Sequence, residues 1–283
     1  MKSIAFLTLA LSLLSALLTG CAATPATTAT AVPSATATAA PSATATNTLV
    51  PTETPVATVT PYSGPLTIQY LGNSCILVMA PDGTRIVSDP YGAFTQPTGM
   101  DSLPKNLEAN AVTVSHTHPD HNATGAVGGS PQVIKFPGDY QIGMVKITGY
   151  KGYEGSPTGP SKKSNTIFVF EVDGARIVQL GDSGPVTDPD VLAGIDNADL
   201  IIVNIDNYVI PLDKMMPFLQ QIHAHTIVPA HYDIPSNGST SLLDGFLKIL
   251  PPDMVVVKED SEIQITPDMP RQVVVLTPLT LTK

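Results

Sequence analysis

The chain has 283 residues, with 24 acidic against 14 basic side chains and a formal net charge of −10. That balance argues against a nucleic-acid partner, whose phosphates require a basic face. Two cysteines, Cys21 and Cys75, are too few for a disulfide framework.

Residues 1–20 carry one charge, Lys2, followed by an apolar stretch over 4–18 that is too short to span a bilayer, and they read as an export signal. Leu18-Thr19-Gly20-Cys21 resembles the bacterial lipobox, which implies that Cys21 becomes the acylated first residue. The expected location is therefore extracytoplasmic, with the membrane as a partner through lipidated Cys21. Residues 21–62 form a Thr/Ala/Pro tract with a single acidic side chain, Glu53, and cannot bury a core; they read as a disordered stalk. Residues 63–283 suffice for one domain.

Within that domain short apolar runs recur between turn residues, at 66–71, 75–79, 85–87, 111–115, 145–148 and 166–172, then at 175–180, 200–205, 226–229, 254–257 and 273–276. Their length and β-branched content predict strands. Pro81-Asp82-Gly83-Thr84 and Asp173-Gly174 read as hairpin turns. Apolar spacing predicts helices over 188–195, 212–223 and 241–249. Strands dominate early and alternate with helices later, which predicts a layered α/β domain.

Three of the six histidines crowd into residues 116–121, as His116-Thr117-His118-Pro119-Asp120-His121 directly after a strand run. Alternation along that strand would put His116 and His118 on one face, while Pro119 turns Asp120 and His121 another way. Imidazole with carboxylate is a donor set suited to zinc, with iron or manganese as substitutes. Asp182 in Gly181-Asp182-Ser183-Gly184 and His231 in Pro229-Ala230-His231-Tyr232 also follow apolar strands. Each is weak alone, but all three groups occupy the carboxyl end of a strand, where sites in open α/β sheets collect. His223 and His225 precede their strand, which places them roughly 17–20 Å from His231. They are expected at the opposite end of the sheet, as a pair at a helix C-terminus.

These motifs, in order, resemble the metallo-β-lactamase superfamily, and within it the branch of L-ascorbate-6-phosphate lactonase-like hydrolases. The resemblance runs from Tyr70-Leu71-Gly72-Asn73-Ser74-Cys75 through Ser88-Asp89-Pro90, the histidine motif, Asn165-Thr166 and Gly181-Asp182 to His231. It implies an αβ/βα four-layer sandwich, the metallo-β-lactamase fold, with one or two metal ions, zinc first. Carried over by position, His116 and His118 bind a first metal, Asp120, His121 and His231 a second, and Asp182 bridges, with Asp89 supporting the histidine loop. Asn73 stands where a histidine is frequent. The third histidine of the first position is missing, since none lies between His121 and His223. Tyr153-Glu154 takes its place, so that position is completed by Tyr153 or Glu154, is filled more weakly, or is empty in a mononuclear enzyme.

The resemblance implies a metallo-hydrolase acting on an ester, lactone or phosphoester-type small molecule through metal-activated water. Asp120 or Asp182 would orient the nucleophile, and Tyr153 or Tyr232 would donate to the developing oxyanion. The loop 156–163, with Lys162 and Lys163, is expected to overhang the site. The alternative is a non-catalytic surface-anchored binding protein that keeps the fold and a partial metal site, which the lost histidine favours.

Overall fold

The computed structural model describes residues 64–95, 98–155, 163–206, 208–234 and 241–281. The signal, the Cys21 anchor and the stalk expected over 1–62, together with Lys162 and most of its loop, lie outside the described residues.

Two sheets face each other. The first is built from β1 (Thr67–Gly72), β2 (Cys75–Met79), β3 (Arg85–Ser88), β4 (Ala111–Thr113), β5 (Gln132–Ile134) and β13 (Glu262–Gln264), in the order β13-β1-β2-β3-β4-β5. The second contains β6 (Gly138–Ile142), β7 (Val145–Glu154), β8 (Lys163–Val172), β9 (Ala175–Gln179), β10 (Leu200–Asn204), β11 (Thr226–Ala230), β12 (Val255–Val257) and β14 (Gln272–Val275). Its order is β12-β14-β11-β10-β9-β8-β7-β6.

Alternation along β2 shows how the layers form. Ile76 and Val78 enter the large core shared with the second sheet, while Cys75, Leu77 and Met79 enter a smaller core on the outer face. Burial pushes the free Cys75 thiol well above its ordinary pKa, as expected of an inert core cysteine. The helices α1 (Pro189–Ile195), α2 (Leu212–Gln221) and α3 (Leu242–Lys248) add Val191, Ile195, Met215, Phe218 and Phe246 to the large core. Among the described residues the outer face of the first sheet is covered by Tyr91, Leu103, Leu107 and Val127, which lie outside α1–α3.

The predicted helices begin where their sequence signals stand. Asp188 caps α1 by accepting from the Asp190 and Val191 amides, and Ser241 and Asp244 form a capping box on α3. Both predicted hairpins form: β2 pairs antiparallel with β3, and β8 with β9, with Asp173 and Gly174 at positive φ. Strands β9, β10, β11 and β14 run parallel, so their carboxyl ends share one edge.

Candidate metal centre

The histidine loop does not extend a strand as expected. β4 stops at Thr113, so His116 and His118 project from irregular backbone. Their rings still approach to 4.5 Å between centroids, and His116 and His121 to 4.3 Å. Asp89, fully buried at the end of β3 with φ 49°, holds this loop. Its Oδ1 accepts from the Ser115 amide at 2.7 Å, and its Oδ2 accepts from Ser115 Oγ at 2.6 Å and lies 3.0 Å from His121 Nδ1. That contact directs His121 Nε2 toward the centre.

Three strands of the second sheet deliver the remaining groups. β9 ends at Gln179 and the chain turns at Gly181, φ 57°, where any Cβ would strike Ser115 and Asn165. Asp182 follows, its two oxygens each 3.4 Å from a histidine, Oδ2 from His116 Nε2 and Oδ1 from His121 Nε2. β11 ends at Ala230, and His231 places Nε2 3.3 Å from Asp120 Oδ2, which is 3.5 Å from His121 Nε2. Asn73 ties these segments together: its Nδ2 donates to the Asp120 carbonyl at 3.0 Å and its carbonyl accepts from the His231 amide at 2.8 Å.

β7 runs six residues beyond the predicted strand 145–148 and ends on Glu154, which is buried and lies 3.9 Å from His118 Nε2. Neighbouring residues of a strand face opposite ways, so Tyr153 does not join the centre with Glu154. It shares a face with Lys151, whose Nζ lies 5.3 Å from its ring centre, and it lines a cleft with Ser183 and Asp188. Strand alternation brings Glu154 toward the centre and places Tyr153, the expected catalytic tyrosine, on the opposite face. Tyr232 is buried, its ring 6.3 Å from that of Tyr70, and it forms part of the wall of an open cleft of about 260 Å³ with Asp120, Asp206 and His231.

All six predicted ligands converge. His116, His121 and Asp182 form one set, Asp120, His121 and His231 a second, and His118, Glu154 and Asp182 a third, with ligand atoms in each set within 4.8 Å of one another. The set fits a cation: among the described residues the buried Nε2 atoms of His116 and His121 have no hydrogen-bond partner, and Oε2 of Glu154 has only the Lys163 ammonium 3.5 Å away. Leaving such groups unsatisfied costs about 1–3 kcal/mol each, which coordination removes. The mixed imidazole and carboxylate donors match the set expected from sequence.

Electrostatics without a cation are mutually adjusted. Burial and the neighbouring His121 lower the His116 pKa. Burial alone would also lower His121, but its contact with Asp89 and the Asp182 and Asp120 charges outweigh that and hold it up at about 9. Burial opposes ionisation of Asp182 and Asp120, yet the surrounding histidines hold both carboxyls below the usual range, so each is an anion ready to ligate.

Two contributors escaped the sequence reading. Asn204 closes β10 and donates from Nδ2 to Asp182 Oδ1 at 2.6 Å. Asp206, two residues on, lies 3.9 Å from His231 Nδ1 and forms a set with His231 and Asp182. Asp206 follows an apolar strand, the signal that singled out Asp182 and His231, whereas Asn204 is the last residue of its strand. His223 instead pairs with Asp196 at 2.9 Å, and among the described residues neither it nor His225 joins a metal-binding set, in line with their expected place.

Residues 67–231 match the family model described as beta-lactamase superfamily domain, more than half of the chain. A UPF0173 metal-dependent hydrolase of Carboxydothermus hydrogenoformans is 26% identical over 201 residues, 59% of this chain and 84% of the relative. A Thermotoga maritima structure, named as a Zn-dependent hydrolase of the metallo-β-lactamase superfamily, superposes with a TM-score of 0.59 at 29% identity, covering 75% of this chain and 98% of that one. A Veillonella parvula structure gives 0.54 at 18% identity over 71% and 100% of the two chains, a likeness of fold alone. The chain belongs to the beta-lactamase superfamily and has the metallo-β-lactamase fold. It is a metal-dependent hydrolase.

Proposed function

We propose that the protein hydrolyses a small ester, lactone or phosphoester at a two-cation centre, with zinc as the resident metal, as a member of the lactonase-like branch. His116, His118, Glu154 and Asp182 would hold one cation, and Asp120, His121, His231 and Asp182 the other. The observation that carries this reading is the convergence of buried, partnerless His116 and His121 nitrogens on the two oxygens of Asp182. Zinc bound there supplies Lewis acidity and activated water at neutral pH.

The chain's own groups do the rest. Asp120 is half-buried at the cleft and held ionised against that burial by His231 and His121, and it would accept a hydrogen bond from the attacking water and so orient it. Burial pushes the Tyr232 hydroxyl up to about 12, so it stays a hydrogen-bond donor at neutral pH. Glu154 stands at the position whose missing histidine had favoured a non-catalytic binding protein, which removes the ground for that reading.

Metal analysis of purified protein tests the centre. Two equivalents are expected, with loss on His121→Ala or Asp182→Ala; metal content unchanged by either substitution would refute the ligand set. A panel of lactones, phosphodiesters and phosphonate-like esters, assayed with and without chelator, identifies the substrate class. We further propose anchoring outside the cytoplasm through acylated Cys21, supported by Leu18-Thr19-Gly20-Cys21 and the Thr/Ala/Pro tract behind it. Cys21→Ala should release the protein from the membrane fraction.

A further inference from the structure

Lys163 opens β8 directly opposite Glu154, the last residue of β7, in the antiparallel register. Its Nζ lies 3.5 Å from Glu154 Oε2 and 3.3 Å from His118 Nε2. An ammonium thus sits between two donors of the set that His118 and Glu154 form with Asp182. The other position has no such companion: among the described residues the ion pairs of Asp120 and Asp182 are with histidines alone. The Lys163 side chain is 54% exposed, so it can turn into water without burying its charge.

We infer that Lys163 is a tethered competitor for the first metal position. Its ammonium shares Glu154 and His118 with the incoming cation and is displaced to solvent when that cation binds. The two positions therefore load at different metal concentrations, the Asp120, His121 and His231 position first. Two charges cannot share one carboxylate and one imidazole at this range without repelling, so lysine charge close to the first position weakens it selectively. The inference rests on the ligand assignment proposed above.

The experiment is a Co2+ titration of the metal-free protein, followed by visible absorption and calorimetry. Wild type is expected to bind in two separated steps. Lys163→Met should tighten the weaker step by about 10-fold or more, the scale on which outer partners of ligands act, and leave the tighter step in place. Lys163→Arg should preserve the wild-type separation, and Glu154→Gln should abolish the weaker step with or without Lys163. A thermal melt of metal-free Lys163→Met checks that the fold is intact. Two steps that do not move in Lys163→Met, or equal sites in wild type, overturn the competitor role while leaving the centre standing. Wild type that binds no Co2+, or a tighter step that survives His121→Ala, overturns the ligand assignment itself and the competitor role with it.

Discussion

Asp182 reaches two histidines because its neighbours leave its carboxylate little freedom. Asn204 donates to Oδ1, and Asn204 is in turn fixed by Ser74 Oγ, which donates to its Oδ1 at 2.9 Å. Gln179 Nε2 donates to the Ser74 carbonyl at 2.8 Å, and all three side chains are buried. A buried chain of this kind orients a ligand as tightly as the packing around it. Asn204→Ala leaves one Asp182 oxygen without its donor and frees the carboxylate to rotate. The expected result is a loss of metal affinity of roughly 10- to 100-fold with the fold retained, read by competition with a chromophoric chelator. An affinity within experimental error of wild type would mean that Asn204 merely fills space. Gly181 makes the same point about backbone: the position before the Asp182 carboxylate admits only glycine, because Ser115 and Asn165 occupy the space a Cβ would take.

At the scale of elements, what could be read from sequence was what burial had written into it. Strands buried on both faces, such as β2, β10 and β11, were legible as apolar runs. The missed strands are β5, β6 and β13, and all three lie at sheet edges, where exposed residues such as Gln132, Asp139 and Glu262 break the apolar pattern. The six predicted ligands were legible because each follows a strand end; Asp206 follows one too, but without a turn motif such as Gly181-Asp182 to mark it, and Asn204 is hidden inside the apolar run of β10. Glu154 was left open beside Tyr153 because the predicted strand stopped at residue 148, and only the full length of β7 fixes which of the two faces inward. Hairpin turns carry their own prediction. Asp82, in the β2–β3 turn, accepts from the Thr84 amide and, across the sheets, from the Met144 amide in the β6–β7 turn, each at 2.9 Å. Burial at the turn would raise its carboxyl, but these hydrogen bonds outweigh it and hold the pKa below the ordinary value. With the folded value depressed, the stabilisation is present above the unfolded value and is lost as pH falls through the folded one. Asp82→Ala should lower stability by about 1 kcal/mol at neutral pH, measured by urea unfolding, and the deficit should shrink in acid. A deficit that stays constant down to acid pH would show that the charge of Asp82 is not what the turn uses.

The two sheets are joined at both ends by different means, and this sets how the whole molecule responds to losing its metal. The Asp82 turn links them at the end where β2 turns into β3 and β6 into β7. At the other end the ligands come from both sides. The first sheet supplies the loop that follows β4, with His116, His118, Asp120 and His121, and the second supplies Glu154 from β7, Asp182 after β9 and His231 after β11. Cations held there cross-link the sheets through these groups, among them the buried His116 and His121 nitrogens, which have no hydrogen-bond partner among the described residues. A ligand that binds only the folded state adds stability by mass action, about 2.7 kcal/mol at a free concentration 100 times its Kd. For a domain of this size that corresponds to a rise in Tm of roughly 5–10 °C. Chelation should therefore lower the Tm by that amount, and added Zn2+ should restore it. Asp182→Ala, which removes the carboxylate proposed for both positions, should melt at nearly one temperature with or without chelator. A wild-type Tm indifferent to chelator, in protein shown by elemental analysis to have lost its metal, would mean that the sheets hold this edge together without the cross-link. The carboxylates and imidazoles would then be positioned by the fold alone.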